Sequence, residues 1–184
     1  MVHIASYLGA PIAGFDGKQA VRRYGDSNYH HICYAEIISK NLAEIKSIKV
    51  SNKNPDRLVL GADSVISLNN ELINKPKSRE DAFNILKKLN NSIHYLISSV
   101  CISKNGSMIW NYTDTSELKM KNHSEDQLLS YLNKIATETL LAYGVYQVEA
   151  DGLDLFESIK GDQNSIMGLP IKEIKKYITS YKND

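Results

Sequence analysis

Apolar and polar positions along the chain follow two periods. From about Tyr29 to Ile48, the residues Ile32, Ala35, Ile38, Leu42, Ile45 and Ile48 recur at spacings of three and four. That spacing predicts a helix with one apolar face. Leu58-Val59-Leu60 is a short run of branched side chains and predicts a strand buried on both faces. Val65-Ile66 resumes the strand, and after the polar turn Asn69-Asn70 the segment Glu71 to Ile73 reads as a short return strand. A helix starts at Ser78-Arg79-Glu80-Asp81, with Ser78 as its cap and an acidic residue three positions on. Its apolar face is Ala82, Phe83, Leu86 and Leu89, and Asn90-Asn91 ends it. Ser92 to Ser103 and Met108 to Met120 read as two long strands joined by Lys104-Asn105-Gly106-Ser107, where Asn-Gly signals a hairpin. Trp110 and Tyr112 alternate on the second strand and are expected to pack. Ser124 to Ile135 reads as another capped helix, Leu153 to Ile159 as a strand, and Ile171 to Tyr181 as a last helix behind Pro170. Met1 to Tyr24 carries less pattern; Pro11 to Phe15 reads as a short strand and Asp16-Gly17 as a turn. This order fits a single α/β or α+β domain over residues 1–184 around an elongated, mostly antiparallel or mixed sheet.

Composition narrows the class. The chain of 184 residues can enclose a sizeable core, undivided or in two lobes. Apolar residues make up 42% and charged residues 23%, as in soluble globular proteins. A net charge of +1 gives no nucleic-acid footprint. Cys33 and Cys101 lie far apart with no paired spacing, which fits reduced thiols in a cytoplasmic protein. No apolar stretch approaches membrane-spanning length, and the N-terminus lacks the basic start and long apolar core of a signal peptide. Arg22-Arg23 reads as a solvated pair. His30-His31 are adjacent, so on a helix they point apart and make no metal site.

The candidate chemistry lies between Arg57 and Pro76. Gly61 and Ala62, two tiny residues, place the carboxylate of Asp63 at the end of a buried strand, where ligands bind in open α/β sheets. The hairpin then returns Lys75 just before Pro76. A carboxylate and a lysine brought back together suit a metal–phosphate site, the carboxylate holding a hard cation and the lysine meeting phosphate oxygens. The alternative is that Asp63 is a turn residue and Lys75 is solvated. Lys46, near the end of the first helix, reads on its own as a partner of the helix dipole.

Several blocks together resemble the Maf-type, or septum-formation, family of nucleoside triphosphate pyrophosphatases. They are LAEIK (Leu42 to Lys46), LVLGADSV, NKP followed by SREDAFNILKKLNNSIHYLISSV, AYGVYQVEADGLDLFESIKGD, and SIMGLPI. They stand in the family's order and spacing over about Ala35 to Ile171. The resemblance implies a two-lobed α/β fold, shared with the inosine-triphosphate pyrophosphatases, with a central cleft. It implies a divalent metal, Mg²⁺ or Mn²⁺, and a homodimer. The implied reaction splits a nucleoside triphosphate, standard or modified, into the monophosphate and pyrophosphate. Carried over by motif, Asp63 is the proton acceptor and metal ligand, and Lys46 and Lys75 meet the substrate phosphates. Ser64, where the family has Thr or Gln, and Glu149 set substrate preference. Glu at the latter position resembles the branch acting on methylated guanosine triphosphate.

The chain departs from the family pattern at its start. The Ser-x-Ser-x-Arg-Arg loop that wraps the phosphates does not occur, and the family's Asp-Glu pair stands here as Asp16-Gly17. Counting back from Lys46, about one strand and one helix of the family are missing, which predicts a weaker enzyme. Two other readings stand beside catalysis. One is an impaired relative that binds a nucleotide or a partner; the other is a division-inhibiting protein.

Overall fold

The computed structural model describes residues 3–5, 29–148 and 151–182. Its strands are β1 (His3–Ala5), β2 (Val59–Leu68), β3 (Glu71–Ile73), β4 (Ile93–Lys104), β5 (Ser107–Met120) and β6 (Phe156–Lys160). Its helices are α1 (Tyr29–Ser51), α2 (Arg79–Leu89), α3 (Glu125–Asn133), α4 (Thr137–Tyr143), α5 (Gln163–Ile166) and α6 (Ile171–Tyr181), with a 3₁₀ turn over Asp151–Leu155. The strands form one mixed sheet in the order β1-β2-β4-β5-β6, with β3 also paired to β2. β1 runs parallel to β2, Ile4 opposite Leu60. β3 is antiparallel to β2, and β6 is antiparallel to β5. The expected strand at Pro11 to Phe15, the Asp16-Gly17 turn and Arg22-Arg23 lie outside the described residues.

The chain divides into two compact units, and β2, β4 and β5 each contribute to both. One unit holds residues 1–65, 97–114 and 168–184; the other holds 66–96 and 115–167.

In the first unit, α1 departs from its expected orientation. Ile45 on the expected apolar face is 51% exposed, and Ile38, Leu42 and Ile48 are only half-buried. Ala35 of the expected face is buried, and the buried row continues through Ser39, Ala43, Ser47 and Ser51, every fourth residue and all small. Such a row is one ridge of the helix surface. The sheet decides which ridge faces inward. A Cβ added at Gly61 would lie 2.7 Å from the backbone nitrogen of Ser47, so β2 passes against the helix backbone itself. Isoleucines on that ridge would overpack the contact. The buried hydroxyls bond in pairs or to backbone: Ser47 lies 2.7 Å from the Ser103 hydroxyl, and Ser51 accepts from the Gly106 N–H at 3.1 Å. Apolar packing in this unit centres on Leu60, Val100, Ile102 and Ile174. Trp110 stacks on Tyr177 of α6, with ring centroids 4.9 Å apart, as its alternation with Tyr112 led us to expect.

Among the described residues, the second unit has the larger apolar core, which includes Leu86, Leu89, Leu118, Met120, Leu128 and Leu132. The capping signals behave as expected. Ser78 accepts the Asp81 N–H, and Ser124 with Gln127 completes a reciprocal capping box. Between β4 and β5, both Asn105 and Gly106 have positive φ, the geometry of a two-residue primed turn. Three boundaries differ from expectation. α3 stops at Asn133 and a separate α4 begins at Thr137; residues 151–155 coil as a 3₁₀ turn before β6; and residues 163–166 form α5.

Candidate active site

Asp63 does not stand at the end of its strand. β2 runs through it to Leu68, so the expected crevice position is corrected to a position within the strand. What gives its carboxylate access is the small-residue stretch before it, which lets α1 close down on β2. Lys46 then reaches over the edge of the helix. Its ammonium forms an ion pair with Asp63 Oδ1 and also donates to the Ala62 carbonyl at 3.2 Å. Both side chains are largely covered, Lys46 at 18% and Asp63 at 15% exposure. A charged pair this sheltered interacts more strongly than a surface pair, because less water screens it. The chemistry available is that of a carboxylate able to accept a proton or hold a hard cation, beside an ammonium able to meet an anionic oxygen. Lys46 is therefore more than a helix-dipole partner.

Ser64 follows with its hydroxyl 2.8 Å from that of Ser98 on β4. Gly168 lies beside it, since a Cβ there would sit 3.8 Å from Ser64 Oγ. Ser39, which the sequence reading did not single out, donates from its hydroxyl to the Asp63 carbonyl at 3.0 Å and to the Ile97 carbonyl at 3.2 Å. The signal that would have found it is the four-residue repeat of small residues on α1.

Lys75 belongs to the other unit, two residues past the short return strand and just before the buried Pro76. Its ammonium donates to the Ala142 carbonyl at 2.7 Å, near the C-terminal end of α4 where the helix dipole is negative. Nearby, Arg79 donates to the Leu132 and Ile135 carbonyls at 2.6 and 2.7 Å and to the Thr137 hydroxyl, tying the α3–α4 turn to the start of α2. Glu149 lies outside the described residues. The stretch leading to it is anchored by Tyr146, whose hydroxyl lies 3.1 Å from His94 Nε2. Further on, the Gly152 N–H donates to the Gln147 carbonyl at 3.1 Å. Burial pushes the Tyr146 phenol up and the His94 imidazole down to about 4, so neither group is charged near neutral pH. Burial also pushes the Cys101 thiol up to about 12, which keeps it an unreactive thiol.

The fold is mixed α/β, with a helix lysine paired to a strand carboxylate at two of the positions the sequence motifs marked out. The family described as Maf-like protein matches residues 19–181, and the chain belongs to that family. Three relatives place it more closely. It is 56% identical over 146 residues, 79% of this chain and 75% of the relative, to a nucleoside triphosphate pyrophosphatase of Pelagibacter ubique (strain HTCC1062). It is 36% identical over 130 residues, 71% of this chain and 65% of the relative, to a 7-methyl-GTP pyrophosphatase of Rhizobium etli. It is 34% identical over 141 residues, 77% of this chain and 71% of the relative, to nucleoside triphosphate pyrophosphatase 1 of Jannaschia sp. (strain CCS1). Among the described residues, no helix is long and apolar enough to cross a membrane.

Proposed function

We propose that the chain is a nucleoside triphosphate pyrophosphatase, splitting standard or modified nucleoside triphosphates into the monophosphate and pyrophosphate. The observation that carries this reading is Lys46 paired with Asp63 at the family's motif positions, in a chain whose relatives bear pyrophosphatase names. Water attacks the α-phosphorus and pyrophosphate leaves. Asp63 accepts the proton of that water or orients it. Lys46 and Lys75 neutralise charge on the phosphate oxygens, for which Lys75 exchanges the Ala142 carbonyl for an oxygen of the substrate. Ser64 and Glu149 set substrate preference, Glu149 accepting from the amine and ring N–H of a guanine-type base.

Asp63 is also the residue that would hold Mg²⁺ or Mn²⁺. Among the described residues no group of three or more His, Cys, Asp or Glu stands together to ligate a metal. One carboxylate fits a hard cation whose remaining ligands are phosphate oxygens and water. When bound, the cation supplies charge neutralisation on the triphosphate.

The test is pyrophosphate release by the full chain, with Mg²⁺, across a panel of nucleoside triphosphates that includes 7-methyl-GTP. Release from at least one of them is expected, and release from none overturns the reading. Glu149→Gln should move preference away from guanine-type bases by about 1–3 kcal/mol, since an amide must donate where the carboxylate accepted. An unchanged ranking removes Glu149 from base recognition.

A further inference from the structure

We infer that Ser39 is a positioning residue for Asp63; the inference rests on the reading of Asp63 as the reactive carboxylate. Ser39 is fully buried on the inner ridge of α1. Its one hydroxyl proton is shared between two carbonyls, Asp63 at 3.0 Å and Ile97 at 3.2 Å, one on β2 and one on β4. Seven residues further along α1, Lys46 takes the preceding carbonyl, Ala62, together with the Asp63 carboxylate. Two consecutive carbonyls of β2 are thus bound by side chains from one helix, two turns apart. Lys46 spans that distance because its chain is long; Ser39 is short and acts where the helix is in direct contact with the strand. The other buried hydroxyls on this ridge bond away from Asp63: Ser47 to Ser103 and to the Glu44 carbonyl, Ser51 with Gly106. Ser39 is the member of the row whose bond ends on the residue that carries the chemistry. Without the hydroxyl, the buried Ile97 carbonyl and the partly buried Asp63 carbonyl lose a donor, the strand relaxes, and the carboxylate leaves its set position against Lys46. Small displacements of a positioned group reduce turnover steeply.

The experiment compares the full chain with Ser39→Ala and with Ser103→Ala. Ser103 is equally buried and its hydroxyl pairs with the same ridge of α1, away from Asp63. Three quantities are measured: kcat and KM for pyrophosphate release, the melting temperature, and the titration of the Asp63 carboxyl by ¹³C NMR, assigned with Asp63→Asn. Ser39→Ala should lower kcat about tenfold or more with KM within about twofold. Ser103→Ala should lose similar melting temperature and keep kcat within about twofold. Equal kcat in the two variants overturns the inference. If the parent chain releases no pyrophosphate, the proposed function fails and the carboxyl titration decides this point separately. A midpoint that moves in Ser39→Ala but not in Ser103→Ala supports positioning, and one that stays in place overturns it. If Ser39→Ala does not fold, Ser39→Cys, similar in size with a weaker donor, is judged by the same measurements.

Discussion

The two units are held together by different chemistry. The second rests on large side chains that water never reaches, with Leu86, Leu89, Leu118, Met120, Leu128 and Leu132 all essentially buried. In the first unit, α1 meets the sheet through alanines and serines, with hydroxyls bonded in the space larger side chains would fill. A leucine core gains stability in proportion to the apolar area it buries. A small-residue contact gains less from area, but it brings polar backbone and side chains within bonding distance. That is how Lys46 reaches Asp63. The proposed chemistry sits where the packing is thin and the hydrogen bonds are specific; the larger apolar burial lies in the other unit.

The comparison breaks first at Asp63. Asp63→Asn should reduce pyrophosphate release at least about a hundredfold, the usual scale for losing a general base, and leave the fold intact. A mutant that turns over at the parent rate takes Asp63 out of the mechanism. In the second unit the effect should be reversed. Leu86→Ala, at a position with no exposure, should cost about 2–5 kcal/mol of stability while the surviving folded protein keeps its activity. Denaturant melts give the first quantity and activity per folded molecule the second; a loss under about 1 kcal/mol would mean the core is looser than its burial implies.

The buried histidine sharpens the same contrast. His94 is fully buried in the second unit, its Nδ1 without a hydrogen-bond partner among the described residues. Burial holds its pKa at about 4 against an ordinary 6.5, so as pH falls the unfolded chain takes up the proton first. The stability linked to the neutral ring is therefore complete above 6.5 and is lost as pH falls from 6.5 through 4, on the order of 3 kcal/mol. Unfolding measured from pH 7.5 to 4 should show this slope in the parent and a flatter one in His94→Gln. Equal slopes would place the acid sensitivity elsewhere.

The smallest expected effect lies at the close contact itself. Gly61→Ala must push α1 from β2, because the new Cβ would meet the Ser47 nitrogen at 2.7 Å. A cost of about 1–3 kcal/mol is expected, with lower pyrophosphate release because Lys46 moves with its helix. Loss of stability with unchanged activity would show that the Lys46–Asp63 pair tolerates a wider gap.

Much of this molecule was decided locally. Ser78 and Ser124 cap their helices because their side chains serve N–H groups a few residues away, and Asn105-Gly106 turns the long hairpin because both residues accept positive φ. The buried strand at Val59-Leu60 and the last helix behind Pro170 were likewise legible from neighbouring residues. The residues themselves singled out Asp63 and Lys75, the resemblance to the family added Lys46 and Ser64, and the structure brings Lys46 to Asp63. Tertiary structure alone decided which ridge of α1 turns inward. Periodicity favoured the isoleucines, since burying them yields more hydrophobic stabilisation; the approach of Gly61 and Ala62 on β2 left room only for alanine and serine. The partners of Ser39 were equally illegible, because its two acceptors lie 24 and 58 residues away and a serine in a helix carries no mark of which carbonyl it will meet.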